Sequence, residues 1–136
     1  MKIAIIYKSY LGATRQYAEW LEESLEADLF RFEQVGEGTL DNYDRIIVMS
    51  GTYAGKMPLT KFLQNNWEII KHKDIVVIAV GGQEPSQKES NDSYLTIPEE
   101  IRNNIKYYKI QGKFFMFPAS GIKKENLNEI IEYLKK

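Results

Sequence analysis

Three short apolar runs stand out along the chain, each bounded by glycine or polar residues. They span Lys2–Tyr7, Arg45–Ser50 and Ile75–Val80 and are rich in isoleucine and valine. Because their hydrophobicity is continuous rather than alternating, they are typical of strands covered on both faces, as in a parallel sheet. A shorter alternating run, Leu29–Phe32, predicts an edge strand.

Helices are predicted between the strands, because apolar residues recur there at three- and four-residue spacing. The first helix follows the first strand and carries Tyr17, Leu21 and Leu25 on one face. The second begins near Pro58, and proline suits the first position of a helix. The last helix is predicted over Glu125–Leu134.

The region before the last helix gives weaker patterns. A helix is predicted over Ile97–Asn104, with Pro98 in its first turn. Two strand-like runs follow, Ile105–Ile110 and Lys113–Pro118. The intervening Gln111-Gly112 leaves open whether they form one bulged strand or two strands joined by a turn.

The resulting order, β-α-β-β-α-β-α-β-α, predicts a single α/β domain over residues 1–136, with helices on both faces of an open sheet. One early crossover is reduced to the loop Val35–Tyr43. Ligands of such sheets bind beyond the carboxyl ends of the strands. Three loops are expected to meet there: Lys8–Thr14, Gly51–Met57 and Gly81–Tyr94.

The first of these loops is the most informative. It offers hydroxyls at Ser9 and Thr14, and Gly12 lets the backbone approach a ligand closely. A helix follows at once, and the N–H groups of its first turn favour an anion. The loop therefore indicates a phosphate site, with an ordinary turn capped by Thr14 as the alternative. Neither a Walker phosphate loop nor a three-glycine dinucleotide motif occurs.

The other two loops each contain a tyrosine that suits a flat ligand. Tyr53 stands between two glycines and is placed either to stack on a ring or to pack on the surface. Tyr94 ends a long polar loop, a kind of segment that is usually functional or mobile. It is a second stacking candidate or an interior aromatic that anchors the next helix.

The amino-acid composition excludes several kinds of catalytic and metal-binding site. The chain has no cysteine, which excludes disulfides, thiolate metal sites and a nucleophilic cysteine, so redox chemistry needs a cofactor. A lone histidine, His72, forms no metal site by itself. A net charge of −1 favours neither nucleic acid nor an acidic membrane as a partner.

An apolar strand follows Met1-Lys2 directly, and no apolar run reaches membrane-spanning length. We therefore expect no signal peptide, no membrane insertion and a cytoplasmic location.

Two of the loops resemble those of the flavodoxin family. The family's phosphate loop, [T/S]-x-T-G-x-T, matches Ser9-Tyr10-Leu11-Gly12-Ala13-Thr14, with Leu11 in the place of the middle threonine. The loop Gly51-Thr52-Tyr53-Ala54-Gly55-Lys56 is similar to that of short flavodoxin-domain proteins, which include menaquinone-dependent protoporphyrinogen oxidase. The order of elements resembles the family over nearly the whole chain. The resemblance implies a flavodoxin-like three-layer sandwich whose five-stranded parallel sheet has the order 2-1-3-4-5.

The resemblance also implies that FMN is bound noncovalently. The residues it assigns to FMN are Ser9, Tyr10, Leu11, Gly12, Ala13 and Thr14 around the phosphate, Thr52, Tyr53, Ala54, Gly55 and Lys56 beside the ring, Gly81, Gly82 and Gln83 at its pyrimidine edge, and Tyr94 flanking it. No side chain is expected to act as an acid or base and no metal is expected, because the protein's part is to tune the cofactor.

The predicted function is FMN-dependent electron transfer with redox proteins or a quinone as partners. Two alternatives stay open: an FMN-dependent oxidoreductase acting on a quinone or porphyrinogen, and a flavin-free binding module, which Leu11 favours. The near-neutral charge argues against a dedicated acidic docking face. A response-regulator receiver is excluded because Lys8 and Ser9, not acids, follow the first strand. The sequence leaves the oligomeric state open.

Overall fold

A computed structural model describes residues 1–10, 12–53, 56–81, 88–112 and 122–136. Its parallel strands form one sheet in the order β2-β1-β3-β4-β5, which confirms the order that the family resemblance implied. The strands are β1 (Ile3–Lys8), β2 (Asp28–Arg31), β3 (Arg45–Gly51), β4 (Asp74–Gly81) and β5 (Lys106–Gln111).

Helices connect the strands and lie on both faces of the sheet. They are α1 (Ala13–Leu25), α2 (Pro58–Ile70), α3 (Lys88–Leu95), α4 (Glu99–Arg102) and α5 (Asn128–Leu134). Helix α2 begins at Pro58, as predicted. The chain passes from β2 to β3 through a 3-10 turn, Phe32–Gln34, and further turns, so the predicted loop Val35–Tyr43 is confirmed.

Alternate residues of each strand face two separate cores. Ile6 and Val48 pack with α2 and α4 on one face, and Ile5 and Ile47 pack with α1 and α5 on the other. All four side chains have no exposed surface. Since both faces of the central strands are covered, polar residues have no place in them, which explains the continuous apolar runs. The three-layer arrangement is confirmed.

Two predictions between β4 and β5 need correction. The long loop predicted over Gly81–Tyr94 ends earlier, because α3 spans Lys88–Leu95 and includes Tyr94. Its sequence, KESNDSYL, has no apolar stripe that periodicity would detect. The helix predicted over Ile97–Asn104 is shortened to α4. Pro98 precedes that helix as its N-cap in an extended conformation (φ −55°, ψ 144°) instead of lying in the first turn.

The C-terminal predictions hold with shifted bounds. The strand predicted over Ile105–Ile110 is β5, displaced by one residue. The helix predicted over Glu125–Leu134 starts with a 3-10 turn, Lys124–Leu127, and becomes α-helical at Asn128. The second strand-like run, Lys113–Pro118, lies outside the described residues.

Candidate functional site

The first loop connects the end of β1 to the start of α1 at the carboxyl edge of the sheet. Gly12 precedes the helix with a φ of +90°, a conformation that glycine adopts without the steric cost of a Cβ. The first bond of the helix runs from the Gln16 N–H to the Gly12 carbonyl, 3.0 Å. The N–H groups of the three preceding residues, Ala13, Thr14 and Arg15, have no acceptor within the helix.

Little else competes for these three N–H groups. The N-cap residue Gly12 has no side chain with which to make a cap hydrogen bond, and the first turn of the helix contains no acidic residue. Ser9 Oγ accepts a bond from the Gly12 N–H (3.1 Å), which fixes the loop one residue before the helix. Thr14 is buried, at 3% exposure, and is the second residue of α1, so it does not occupy the N-cap position. The uncapped turn has the polarity and donors of an anion site.

The second loop is held tightly at its base. Thr52 continues the sheet by donating its N–H to the Val80 carbonyl (2.9 Å). Tyr53 and Lys56 then exchange two backbone bonds, Tyr53 N–H to Lys56 O at 2.7 Å and Lys56 N–H to Tyr53 O at 3.1 Å. The predicted site residues Ala54 and Gly55, between this pair, lie outside the described residues.

Tyrosines from the first and second loops meet above the sheet edge. The rings of Tyr10 and Tyr53 lie 5.1 Å apart at 65°, an edge-to-face contact. Tyr10 is 61% exposed, and Lys8 Nζ lies 5.5 Å from its ring centre. Burial, followed by the neighbouring Tyr10, raises the pKa of Tyr53, which moves the titration of its hydroxyl further above the physiological range. The pair places two aromatic rings, set at a steep angle to each other, where the first and second loops meet.

Glycines let side chains of the second loop lie against the ends of β3 and β4. A Cβ on Gly51 would lie 2.5 Å from Tyr53 Oη, and one on Gly81 would clash with Thr52 Oγ1. Gly81 also accepts a bond from the Gly112 N–H, 2.7 Å, which joins the end of β4 to the end of β5. These contacts place predicted residues of the second and third loops together. Leu11, Gly82 and Gln83 lie outside the described residues.

Tyr94 lies in the layer that carries α2. Its ring centre is 4.8 Å from that of Tyr107 on β5, and the Arg102 guanidinium lies 5.6 Å from the Tyr94 ring. The side chain is half-buried and packs against the core that includes Met57 and Leu59. This is the anchoring position that the sequence offered as the alternative to stacking, and a contact of Tyr94 with FMN stays a prediction.

A basic cleft of about 870 Å³ opens beside the first loop, on the side of β2. Lys8 and Arg15, which flank the first loop in the sequence, both line this cleft. Sequence reasoning did not point to Arg31, which also lines it. A signal was available: Arg31 ends the strand next to β1, and carboxyl ends of parallel strands share one edge of the sheet.

A family model described as a flavodoxin domain matches residues 4–128 of the chain. The chain belongs to the flavodoxin-domain family. An uncharacterized protein of Methanocaldococcus jannaschii is 30% identical over 139 residues, covering 95% of this chain and 89% of that protein. The resemblance that the first two loops suggested is confirmed at the level of the family.

Solved flavodoxins share this fold. The oxidised Flavodoxin 2 of Bacillus cereus is 23% identical, with a TM-score of 0.68, covering 98% of this chain and 94% of that one. The flavodoxin of Fusobacterium nucleatum, solved bound to flavin mononucleotide, is 13% identical, with a TM-score of 0.61, covering 99% and 98%. At these identities the likeness establishes the fold.

No helix in the described ranges is both long enough and apolar enough to cross a membrane. No three histidine, cysteine, aspartate or glutamate side chains are grouped there as metal ligands.

Proposed function

We propose that this flavodoxin-domain protein binds FMN at the carboxyl edge of its sheet and transfers electrons through it. The uncapped first turn of α1 is the observation that carries the proposal. Three consecutive N–H groups, from Ala13 to Arg15, point out of a helix end that carries partial positive charge. A phosphate dianion satisfies such donors, and charge-assisted bonds of this kind are the strong ones.

The surroundings of the turn also fit the rest of FMN. Tyr10 and Tyr53 provide an aromatic surface within reach of the first loop, and Thr52 and Gly81 line the adjacent strand ends. Tyr53 is neutral at physiological pH, as tyrosines ordinarily are, and burial raises its pKa further, so it adds no charge beside a ring that changes charge on reduction. FMN, when bound, supplies reversible electron storage in its ring.

The chain's own part is to hold, orient and shield the cofactor. The reciprocal Tyr53–Lys56 backbone bonds fix the second loop, and the Thr52–Val80 bond fixes it to the sheet. We expect redox proteins or a quinone as partners and the cytoplasm as the location. With a net charge of −1, the chain is not expected to attract partners by a strong overall field.

The proposal is tested by titrating the protein with FMN and with riboflavin, following flavin fluorescence. The phosphate gains several charged hydrogen bonds, so FMN should bind at least about 100-fold more tightly than riboflavin. Equal affinities would show that α1 does not hold the phosphate. Absence of flavin binding at micromolar protein would overturn the proposal in favour of a flavin-free module.

Removal of the Ser9 hydroxyl tests whether the first loop binds the FMN phosphate. Ser9→Ala should weaken FMN binding by about fivefold to tenfold and leave riboflavin binding unchanged, because the Ser9 hydroxyl fixes Gly12. Thr39→Ala is a matched control, since Thr39 Oγ1 accepts the Gly36 N–H at 2.9 Å in a loop away from α1. Equal losses for the two variants would contradict the assignment.

A turnover assay distinguishes an electron carrier from an oxidoreductase with its own substrate. The reduced FMN-loaded protein should pass its stored electrons to a redox protein or a quinone in a single turnover, without sustained catalysis on a quinone or porphyrinogen. Sustained turnover with a quinone or porphyrinogen would replace the carrier assignment with that of an oxidoreductase.

A further inference from the structure

The basic cleft is lined partly by Ser9 and Gly12 of the proposed phosphate loop and partly by Arg31 and Glu33, beyond that loop at and after the end of β2. Tyr7 of β1 also lines the cleft and is paired in register with Arg31, so the cleft covers two neighbouring strands. The cleft therefore begins at the first turn of α1 and extends over the end of β2.

The position of Arg31 follows from the alternation of the edge strand. Leu29 packs against the core on the α1 face, whereas Phe30 packs against the core on the α2 face. Since side chains alternate along a strand, Arg31 lies on the same face as Leu29. That is the face of α1, whose first turn carries Arg15. Two guanidinium groups from different elements thus border one cleft.

The charges that face the cleft are predominantly positive. Lys8, Arg15 and Arg31 line it, with Glu33 as the carboxylate among the residues described there. Arg15 pairs with Glu19 at 3.0 Å and Arg31 with Glu33 at 3.3 Å. All four side chains of these pairs are 47–66% exposed. Pairs this exposed are weak, so a phosphate can displace the carboxylates from the guanidinium groups.

We propose that this cleft binds a second phosphate group next to the phosphate of the flavin. The inference rests on the proposed function for the first phosphate and adds the ligand class, a nucleotide phosphate. It has two possible sources: the second phosphate of a flavin dinucleotide, or a phosphate of a separate nucleotide bound beside FMN. Guanidinium groups suit this chemistry because they bind phosphate through two parallel hydrogen bonds.

The probes are FAD, FMN, and ADP added to the FMN-loaded protein. If the cofactor is the source, FAD should bind about tenfold more tightly than FMN, the gain from one charged contact. If a separate nucleotide is the source, ADP should bind to the FMN-loaded protein at micromolar to millimolar concentration. If FAD binds no better than FMN and ADP does not bind, the inference is overturned.

Two variants with opposite expected effects on FAD or ADP affinity test whether the second phosphate binds in this cleft. Arg31→Gln should weaken FAD or ADP binding about tenfold and leave FMN binding within twofold. Glu33→Gln should strengthen it, because it removes the competing carboxylate. Lys71→Gln is the matched control, an ion-paired cation at the end of α2 with a 2.6 Å bond to Glu68. It should change neither affinity.

The outcomes separate this inference from the proposed function. If FMN binds no better than riboflavin, the phosphate site on α1 fails, whereas ADP binding that responds to Arg31→Gln still supports the cleft. If FMN binds as proposed but FAD and ADP respond equally to Arg31→Gln and Lys71→Gln, the cleft fails alone. Arg31 is exposed at the end of an edge strand, and unchanged thermal unfolding of its variant verifies that the fold is intact.

Discussion

A methyl group added at Gly81 should disturb the site and the fold together. The Cβ of Gly81→Ala would clash with Thr52 Oγ1 and would lie 3.1 Å and 3.2 Å from Lys109 Cε and Nζ. Lys109 is long enough to move aside, but Thr52 is short, β-branched and stiff at χ1. Its backbone is also held by the bond to Val80. The Thr52 side chain must therefore leave its rotamer or push the second loop outward.

Overpacking of this kind costs about 2 kcal/mol in the free energy of unfolding. For a chain of this length that lowers the melting temperature by about 7 °C, which a calorimetric or circular-dichroism melt resolves easily. We also expect weaker FMN binding, because Thr52 belongs to the proposed ring site. Gly36→Ala is the control, since its Cβ would meet nothing closer than Thr39 Oγ1 at 3.9 Å. It should be neutral or slightly stabilising.

A double variant tests whether the Thr52 side chain is the group that clashes with the methyl group of Gly81→Ala. In Gly81→Ala/Thr52→Ala the hydroxyl that blocks the methyl group is gone, so the double variant should lose about 1 kcal/mol less than the sum of the single losses. Strictly additive losses would show that Thr52 is not what Gly81 accommodates. A Gly81→Ala protein as stable as the parent would refute the packing described for this edge of the sheet.

Two further predictions concern tyrosine hydroxyls. Tyr17→Phe should cost about 2 kcal/mol in urea unfolding, because the buried hydroxyl donates to the Gln111 carbonyl (2.6 Å) and accepts from Asn126 Nδ2 (2.8 Å). A loss no larger than that of Tyr133→Phe, a half-buried ring, would contradict it. The hydrogen bond to Asp28 raises the pKa of Tyr43 to about 12, above the ordinary 10.0. Its stabilisation is therefore complete below pH 10 and is lost as pH rises through 12. Tyr43→Phe should flatten the alkaline fall in stability, and an unchanged slope would count against this pair.

The sequence predicted the sheet well because burial on both faces leaves a strong local signal. Strands β1, β3 and β4 were placed within one residue at each end, since nearly every position in them must be apolar. The position of the site followed from topology alone, because parallel strands present their carboxyl ends at one edge. Helix α3 was missed because its polar sequence carries no helical stripe.

Contacts between distant segments were not predictable in the same way. The Tyr10–Tyr53 ring contact joins two loops across the first crossover, and nothing in either loop alone specifies it. The ring of Tyr94 was ambiguous because stacking and anchoring require the same residue type, and its neighbour Tyr107 comes from another strand. Arg31 was overlooked because its relation to Arg15 depends on strand alternation and pairing.

The uncapped start of α1 links the stability of the protein to the supply of its ligand. In many helices a serine or aspartate side chain at the N-cap supplies a partner for one of the free N–H groups as soon as the chain folds. Under the proposed function the bound anion supplies such partners instead, so ligand binding adds to the stability of the fold. At a ligand concentration of a hundred times Kd, the folded state gains about 2.7 kcal/mol. Because α1 is tied through Tyr17 to the end of β5, the gain reaches from the first crossover to the far edge strand. A cell short of the ligand would then hold less of the protein, without any change in its synthesis.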